Sequence, residues 1–447
     1  MTPKSSILKL STALTLVTGF AYAGTEPLTP SSNSGNFLDD FKFDAELRIR
    51  AEWTDNLRDY NSNVNGADDD GWLITRTRLG LGYEPTDWLK FYVQGQDSRE
   101  FFSGRPHNTL NSANGDDFDL RQAYIRFGDL ENYPVAFTVG RQPLDFGSRR
   151  IVADSGWSNY GRTFDAARLS WKVSKDWQVD AFAGNVVRVL PGEINKADWH
   201  SDLTGLFAAG KLGSQTLEFY AFHLDSEGSK VAAVRGNFLT LGSRLLQKPG
   251  KSSPWDYEIE AAVQTGTVFS GGRELDLLAF AGHGTLGYTF SDVAWSPRLS
   301  VNYSYASGDK DRTDGDQDRF QPLYPSTHNM NGLLDSIGWA NLHDPYIELT
   351  VSPAKDWKIG LQAHAFFRAE DGDFAYRSNG SSALRTPAAP NGNSFIGTEV
   401  DLYVQTKLNE NLELLAGAGA LFAGDYLETS GTSDTAKTAY LQLTYKY

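Results

Sequence analysis

Phe41-Lys42-Phe43-Asp44-Ala45-Glu46-Leu47-Arg48-Ile49-Arg50-Ala51-Glu52-Trp53-Thr54 is the stretch whose reading decides the fold. Phe41, Phe43, Ala45, Leu47, Ile49, Ala51 and Trp53 fall on one face, and Lys42, Asp44, Glu46, Arg48, Arg50, Glu52 and Thr54 on the other. That is a period of two, the side-chain period of a strand, where an amphipathic helix needs 3.6. Six of the seven polar positions are ionisable. A strand of a soluble sandwich seldom carries such a face, whereas a strand between lipid and a water-filled lumen does. Pointing Arg or Lys at mid-bilayer lipid costs roughly 2–4 kcal/mol each, so a one-residue slip that turned Lys42, Arg48 and Arg50 outward is prohibitive. The reading is an all-β transmembrane barrel of the outer-membrane kind.

Working outward to the ends, Lys4 and Lys9, the apolar run through Leu14, Leu16 and Val17, and Ala21-Tyr22-Ala23 form a secretory signal over residues 1–23. The mature chain is expected to begin at Gly24 with a flexible periplasmic lead-in to residue 37, and the barrel to occupy 38–447. Without Lys4 and Lys9, the 41 basic residues become 39 against 56 acidic ones, a net charge of about −17 that argues against nucleic acid as a partner. There is no cysteine, which excludes a lipoprotein anchor, disulfides and thiolate chemistry. Mean hydropathy is −0.41, which is uninformative because only every second residue of a barrel strand must be apolar. The last residues alternate again, with Ala439, Leu441, Leu443, Tyr445 and the terminal Tyr447 on one face, a pattern that the barrel-assembly machinery of bacteria recognises.

Alternating segments between turn signals number eighteen, from 41–54 to 435–447. The connections alternate short and long. Pro85-Thr86-Asp87, Ser174-Lys175-Asp176, Pro353 to Asp356 and Asn409-Glu410-Asn411 are short turns; 55–71, 99–117, 143–162, 308–343 and 370–394 are long polar loops. Barrels put short turns in the periplasm and long loops outside. Trp88, Trp177 and Trp357 each follow a short turn, as an interfacial aromatic girdle requires. Trp177 and Trp357 share the apolar phase of their strands, but Trp88 does not.

A barrel of this size leaves an aqueous channel, so function is written on the inward phase. Arg48, Arg50, Arg76, Arg78, Arg126, Arg168, Arg244, Arg298 and Arg368 fall there by alternation, with Lys42, Lys90 and Lys358. Basic residues lining a pore pass anions. The inward acids Asp44, Glu46, Glu52, Glu258, Glu260, Asp401 and Glu413 offer the alternative of a purely structural ladder of ion pairs. Between Gly140 and Arg168 runs a long Gly- and Arg-rich loop carrying Arg149, Arg150, Trp157, Asn159, Arg162 and Asp165. It is expected to dip into the lumen, where Arg149, Arg150 and Arg162 would form the narrowest basic ring beside Arg168 and across from Arg76 and Arg78.

Several ordered motifs bring a resemblance. They are Arg76 and Arg78 in the second strand, Gln94 with Ser98-Arg99, Asp119-Leu120-Arg121-Gln122-Ala123-Tyr124, and the loop opening Gly140-Arg141-Gln142. Phe320 to His328 (FQPLYPSTH) follows, with Gly332, Asp335, Gly338-Trp339 and Asn341. The chain resembles the alginate export family over roughly residues 37–447, most strongly in 72–170 and 319–345. The resemblance implies an eighteen-stranded barrel with a positively charged conduit. The expected path then comprises Arg48, Arg50, Arg76, Arg78, Gln96, Arg99, Gln122, Tyr124, Arg126, Arg141, Arg149, Arg150, Trp157, Asn159, Arg162, Asp165, Arg168, Arg298 and Arg368.

Enzyme motifs fail on context. Gly282-His283-Gly284-Thr285-Leu286-Gly287 matches G-x-G-x-x-G but lies inside a predicted strand. Gly250-Lys251-Ser252 has Leu245 where a phosphate loop needs glycine. No G-x-S-x-G occurs, and the seven histidines lack metal-ligand spacing. Asp68-Asp69-Asp70 and the acids from Asp309 to Asp318 match no calcium loop. No enzymatic activity, metal or cofactor is expected. The expected function is a channel for an anionic polysaccharide or sugar-acid oligomer, embedded in outer-membrane lipid. An uptake or general diffusion porin for small acidic solutes is the alternative within transport. A surface-binding scaffold, or an outer-membrane hydrolase with a Ser/His/acid triad at the rim, stands outside it.

Overall fold

A strand satisfies its backbone groups through neighbours, so in lipid a sheet must close on itself. The computed structural model shows that closure and describes residues 37–63, 69–104, 114–228, 234–250, 253–328, 330–385 and 392–447. The predicted signal and almost all of the lead-in lie outside the described residues, which open on a 3-10 turn at Phe37–Asp40.

All eighteen predicted strands are present. They are β1 Phe41–Asp55, β2 Asp70–Thr86, β3 Leu89–Phe101, β4 Asp116–Phe127, β5 Val135–Gln142, β6 Phe164–Lys172, β7 Trp177–Arg188, β8 Lys196–Leu212 and β9 Gln215–Ser226. There follow β10 Gly236–Gln247, β11 Trp255–Ser270, β12 Arg273–Thr289, β13 Arg298–Ala306, β14 Leu342–Val351, β15 Trp357–Phe367, β16 Phe395–Lys407, β17 Leu412–Ala423 and β18 Ala436–Lys446. Each pairs antiparallel with the next, and β1 pairs with β18 from Glu46↔Lys446 to Asp55↔Lys437, which closes the cylinder. The final residue seals that seam: Ala45 N donates to Tyr447 O at 3.1 Å and Tyr447 N to Ala45 O at 2.9 Å. A two-residue segment, Asp316–Gln317, lies parallel to β12. Among the described residues the only α-helix is Asp425–Ser430.

The inward phase is as predicted. Arg48 and Arg50 are each 2% exposed, while Phe43, Leu47, Ile49 and Trp53 on the same strand are 40–56% exposed. At the long-loop end the outward apolar phase stops at one register. Arg141, Asp165, Asn185, Asp202, Asp225 and Asn237 stand side by side across β5 to β10. A polar row on the outer wall marks where hydrocarbon ends. At the short-turn end Trp171, Trp255 and Trp357 face outward, and Trp177 packs over Gly210, where a side chain would occupy the space of its ring. Trp88 lies in the turn between β2 and β3 and belongs to neither strand's phase, which explains its irregular spacing.

Two long loops turn inward. The 143–162 loop is amphipathic, and its first half inserts Leu144, Phe146, Ile151 and Val152 into an apolar interior built by β6 to β10. Phe146 meets the rings of Phe182, Phe207 and Phe222 at centroid separations of 5.0, 5.1 and 5.7 Å. Burying one such side chain stabilises by about 1.5–3 kcal/mol. The second inward loop, 307–341, zips onto the first through a parallel bridge between Val152 and Tyr324. Ala153 N donates to Tyr324 O (2.8 Å), Tyr324 N to Ile151 O (2.9 Å) and Ser326 N to Arg149 O (3.0 Å). It rests on the opposite wall through Leu333 N to Asp401 Oδ2 (3.1 Å) and Leu334 N to Glu399 Oε1 (3.0 Å).

The topology makes a prediction that the absence of native cysteine renders clean. Cysteines placed at Asn63 and Gly315 label on intact cells with an impermeant thiol reagent, and one at Asn409 labels only after the outer membrane is opened. Labelling of the Asn409 variant alone would reverse the orientation.

Candidate functional site

The basic wall begins with a strand register that ought to be repulsive. Arg48 stands directly opposite Arg76, and Arg78 opposite both Glu46 and Gln96. Like charges facing across a strand pair destabilise it. The 143–162 loop resolves the conflict with backbone oxygens. Gly156 O accepts from Arg48 Nη1 (2.9 Å) and Arg76 Nη1 (3.0 Å), and Ser158 O from Arg48 Nη2 (3.1 Å) and Arg76 Nη1 (3.2 Å). Arg76 Nε also donates to Glu46 Oε1 at 2.8 Å, and Arg78 Nε to Gln96 Oε1 at 2.6 Å. Arg50 donates to Trp157 O at 2.9 Å, pairs with Glu52, and lays its guanidinium 3.6 Å from the centre of the Trp157 ring. The imidazole of His328 covers the other indole face at 3.5 Å, nearly parallel. Asn159 is fully buried and binds the wall, accepting from Arg48 Nη2 (3.0 Å) and donating to Thr75 O (3.0 Å) and Asn114 O (2.7 Å).

A fifth guanidinium joins this wall through a β-bulge. Gln94 pairs with Gln122 but Gly95 with Leu120, so Arg121 has no cross-strand partner and turns inward. Its side chain is 3% exposed and reaches Asp154 at 3.8 Å. Among the described residues Arg121 Nε and Nη1, Arg78 Nη2 and Arg48 Nε are buried without a hydrogen-bond partner. Gly161 sits against this pair, since a Cβ there would lie 3.2 Å from Arg78 Nη2 and 3.3 Å from Arg121 Nη2. Arg48, Arg76, Arg78 and Arg121 outnumber the carboxylates Glu46 and Asp154 beside them by two. Buried donors left unmade cost about 1–3 kcal/mol each, a cost that an acceptor reaching the cluster would recover.

The facing wall is acidic. Glu218, Glu258 and Glu260 surround Arg244, which donates to Glu218 and Glu258 at 3.0 Å each. Arg298 grips Asp256 with two bonds of 2.8 and 2.6 Å and reaches Glu348 at 3.3 Å. Asp344 pairs with His364 at 2.9 Å, and Glu399 and Asp401 are fully buried against the 307–341 loop.

The predicted ring of Arg149, Arg150 and Arg162 does not form. The loop does fold inward, but Arg149 pairs with Asp145 and Asp154, Arg150 crosses to Glu258 and to Glu260 (2.8 Å), and Arg162 holds Ala153 O (2.9 Å) and Tyr324 O (2.7 Å). Charges drawn into a packed interior must be paired or hydrogen-bonded, and that need scatters the three in different directions. Arg168 pairs with Asp180 at 3.0 Å and lies over Phe146. Arg368 holds the carbonyls of Asp371 (2.9 Å) and Asn393 (2.6 Å) near the rim.

Three further path residues are corrected. Arg99 continues the outward phase of Phe91 and Val93 and pairs with Asp97 (2.6 Å) and Asp117 on the outer face, and is 44% exposed. Arg141 and Asp165 follow Val139 and Leu169 outward and pair at 2.8 Å with each other. Gln96 and Gln122 do line the interior: Gln96 Nε2 donates to Tyr160 O (3.0 Å) and Gln122 Nε2 to Gln94 Oε1 (2.9 Å). Tyr124 packs its ring 5.2 Å from Tyr92, and Arg126 lies half-buried opposite Lys90. Sequence reasoning missed Arg121, Asp154 and His328. Arg121 stands beside Gln122 within a quoted motif, but strict alternation assigns the two opposite faces, and only a bulge brings both inside.

The sequence matches the family model described as alginate export over residues 39–440. No curated protein matches it. Among solved structures, the chain is similar to Pseudomonas aeruginosa OpdK with vanillate at 11% identity and TM-score 0.62, covering 92% of this chain and 100% of that one. Acinetobacter baumannii OccAB3 aligns at 12% identity and TM-score 0.61, with 91% and 99% covered. Acinetobacter baumannii OccAB1 aligns at 14% and 0.59, with 93% and 99% covered. At such identities the likeness is one of fold.

Proposed function

The chain belongs to the alginate export family and is an outer-membrane barrel, and from that premise we propose that it passes an anionic polysaccharide or sugar-acid oligomers along its basic wall. The observation that carries this reading is the excess of guanidinium at Arg48, Arg76, Arg78 and Arg121, with N–H groups of Arg48, Arg78 and Arg121 that lack acceptors among the described residues. A carboxylate supplies what those donors lack, in bidentate geometry that suits guanidinium. In a confined site of lowered dielectric the attraction is several-fold stronger than in bulk water. Neighbouring guanidiniums in series let an anion pass from one to the next without being trapped. The chain's role in this is binding and guidance, and no bond is made or broken.

The second reading is passage of small acidic solutes; one structural neighbour, OpdK, is solved with vanillate. The two inward loops, which narrow the interior from both walls, favour it. Purified barrel in planar bilayers under a salt gradient tests both. Anion preference is expected despite the net charge of −15, because local charge along the path sets selectivity. Block by a uronate oligomer at lower concentration than by the monomer supports the larger substrate, and equal block supports the smaller. Cation preference overturns the proposal.

A further inference from the structure

The tip of the 143–162 loop occupies the arginines in the way a solute would. Gly156 O and Ser158 O each bridge Arg48 and Arg76, Trp157 O takes Arg50, and Asn159 O accepts from Ser98 Oγ at 3.0 Å. All of these loop acceptors are neutral amide oxygens. At its other end Arg150 reaches Glu258 and Glu260 on the acidic wall. The two halves of the loop are held differently. Leu144 to Val152 are anchored by several buried apolar side chains and by the bridge to Tyr324, whereas Ser155 to Tyr160 meet the basic wall through polar groups, with Trp157 alone packed, between Arg50 and His328 and edge-on to Tyr440 at 4.8 Å. Ser155 (φ 51°) and Gly161 (φ 69°) bracket this tip with left-handed backbone, where the chain changes direction.

We propose that residues 155–161 are an autoinhibitory strap, a resident neutral mimic of the solute that an arriving carboxylate displaces from Arg48 and Arg76 while the anchored half stays in place. This rests on the basic wall being the anion path. A carboxylate brings a full negative charge and bidentate geometry to guanidiniums that the loop meets only with neutral oxygens, so it competes well where water does not. Displacement frees the tip to pivot at Ser155 and Gly161 and widens the passage as the solute enters.

The test uses the full barrel carrying Ser158→Cys, the chain having no other cysteine. Thiol labelling of that site is measured together with ionic current, with glucuronate as the probe and glucose as the neutral control. Glucuronate is expected to speed labelling by about tenfold or more, glucose not at all. Adding Arg76→Gln should shrink the glucuronate effect. If glucuronate blocks current but leaves labelling unchanged, the strap is static and this inference falls while the anion path stands. If it neither blocks current nor alters labelling, both fall. A rise equal for glucose and glucuronate also overturns the inference, since a neutral sugar cannot replace an anion.

Discussion

Arg150→Ala is expected to open the interior more than any other single substitution on the loops. Among the described residues Arg150 is the one ion-paired side chain that ties the 143–162 loop to the acidic wall, bridging Glu258 and Glu260 from β11. Glu258 keeps Arg244 when the bridge is lost, but Glu260, 3% exposed, keeps only the Tyr220 hydroxyl at 3.1 Å. Removing one partner of a buried pair costs about 3–5 kcal/mol because the other charge is left without compensation. Even about 3 kcal/mol changes a local opening equilibrium by more than a hundredfold. The barrel itself persists, since its closure rests on strand pairing that Arg150 does not touch. Raised single-channel conductance and faster labelling of the Ser158→Cys site are therefore expected, with Arg150→Lys restoring much of the parent behaviour. Unchanged conductance and labelling in a properly closed Arg150→Ala barrel would show that apolar anchoring alone holds the loop.

Gly332→Ala is expected to release the second inward loop. Gly332 has φ 86°, and a Cβ there would overlap the Glu399 carboxylate that accepts from Leu334 N. The left-handed backbone alone costs on the order of 1–3 kcal/mol for a residue other than glycine. Glu399 cannot withdraw, being fully buried beside Asp401, which accepts from Leu333 N. Amide hydrogen exchange at Leu333 and Leu334 should accelerate strongly, and Val152 and Tyr324, zipped across the lumen, should lose protection with them. Gly315→Ala, at an exposed glycine with open space around it, is the control and should change nothing. Protection at Leu333 and Leu334 equal to the parent's would refute the role assigned to the Glu399–Asp401 pair.

What the chain's own sequence determined was everything that depends on the strand period. The even-numbered residues from Lys42 to Thr54 must face water and the odd-numbered ones from Phe41 to Trp53 must face lipid, so the inward phase, the eighteen strands and the short and long connections were legible before any contact was known. The length and the Gly- and Arg-rich composition of the 143–162 loop made its inward turn legible as well. Tertiary structure alone decided the partners. Arg99, Arg141 and Asp165 stand in the outward phase near the long-loop end, where the outer wall turns polar, and there Arg99 pairs with Asp97 and Arg141 with Asp165. Arg121 enters the lumen because a bulge inserts one residue, a local event that leaves no trace in an alternating pattern. Arg150 and Arg162 turn away from each other because buried guanidiniums go where acceptors are, on β11 and on the 307–341 loop, more than a hundred residues away in sequence. Periodicity is a property of neighbours along the chain, whereas neutralising a buried charge depends on which distant acceptors the closed barrel brings within reach.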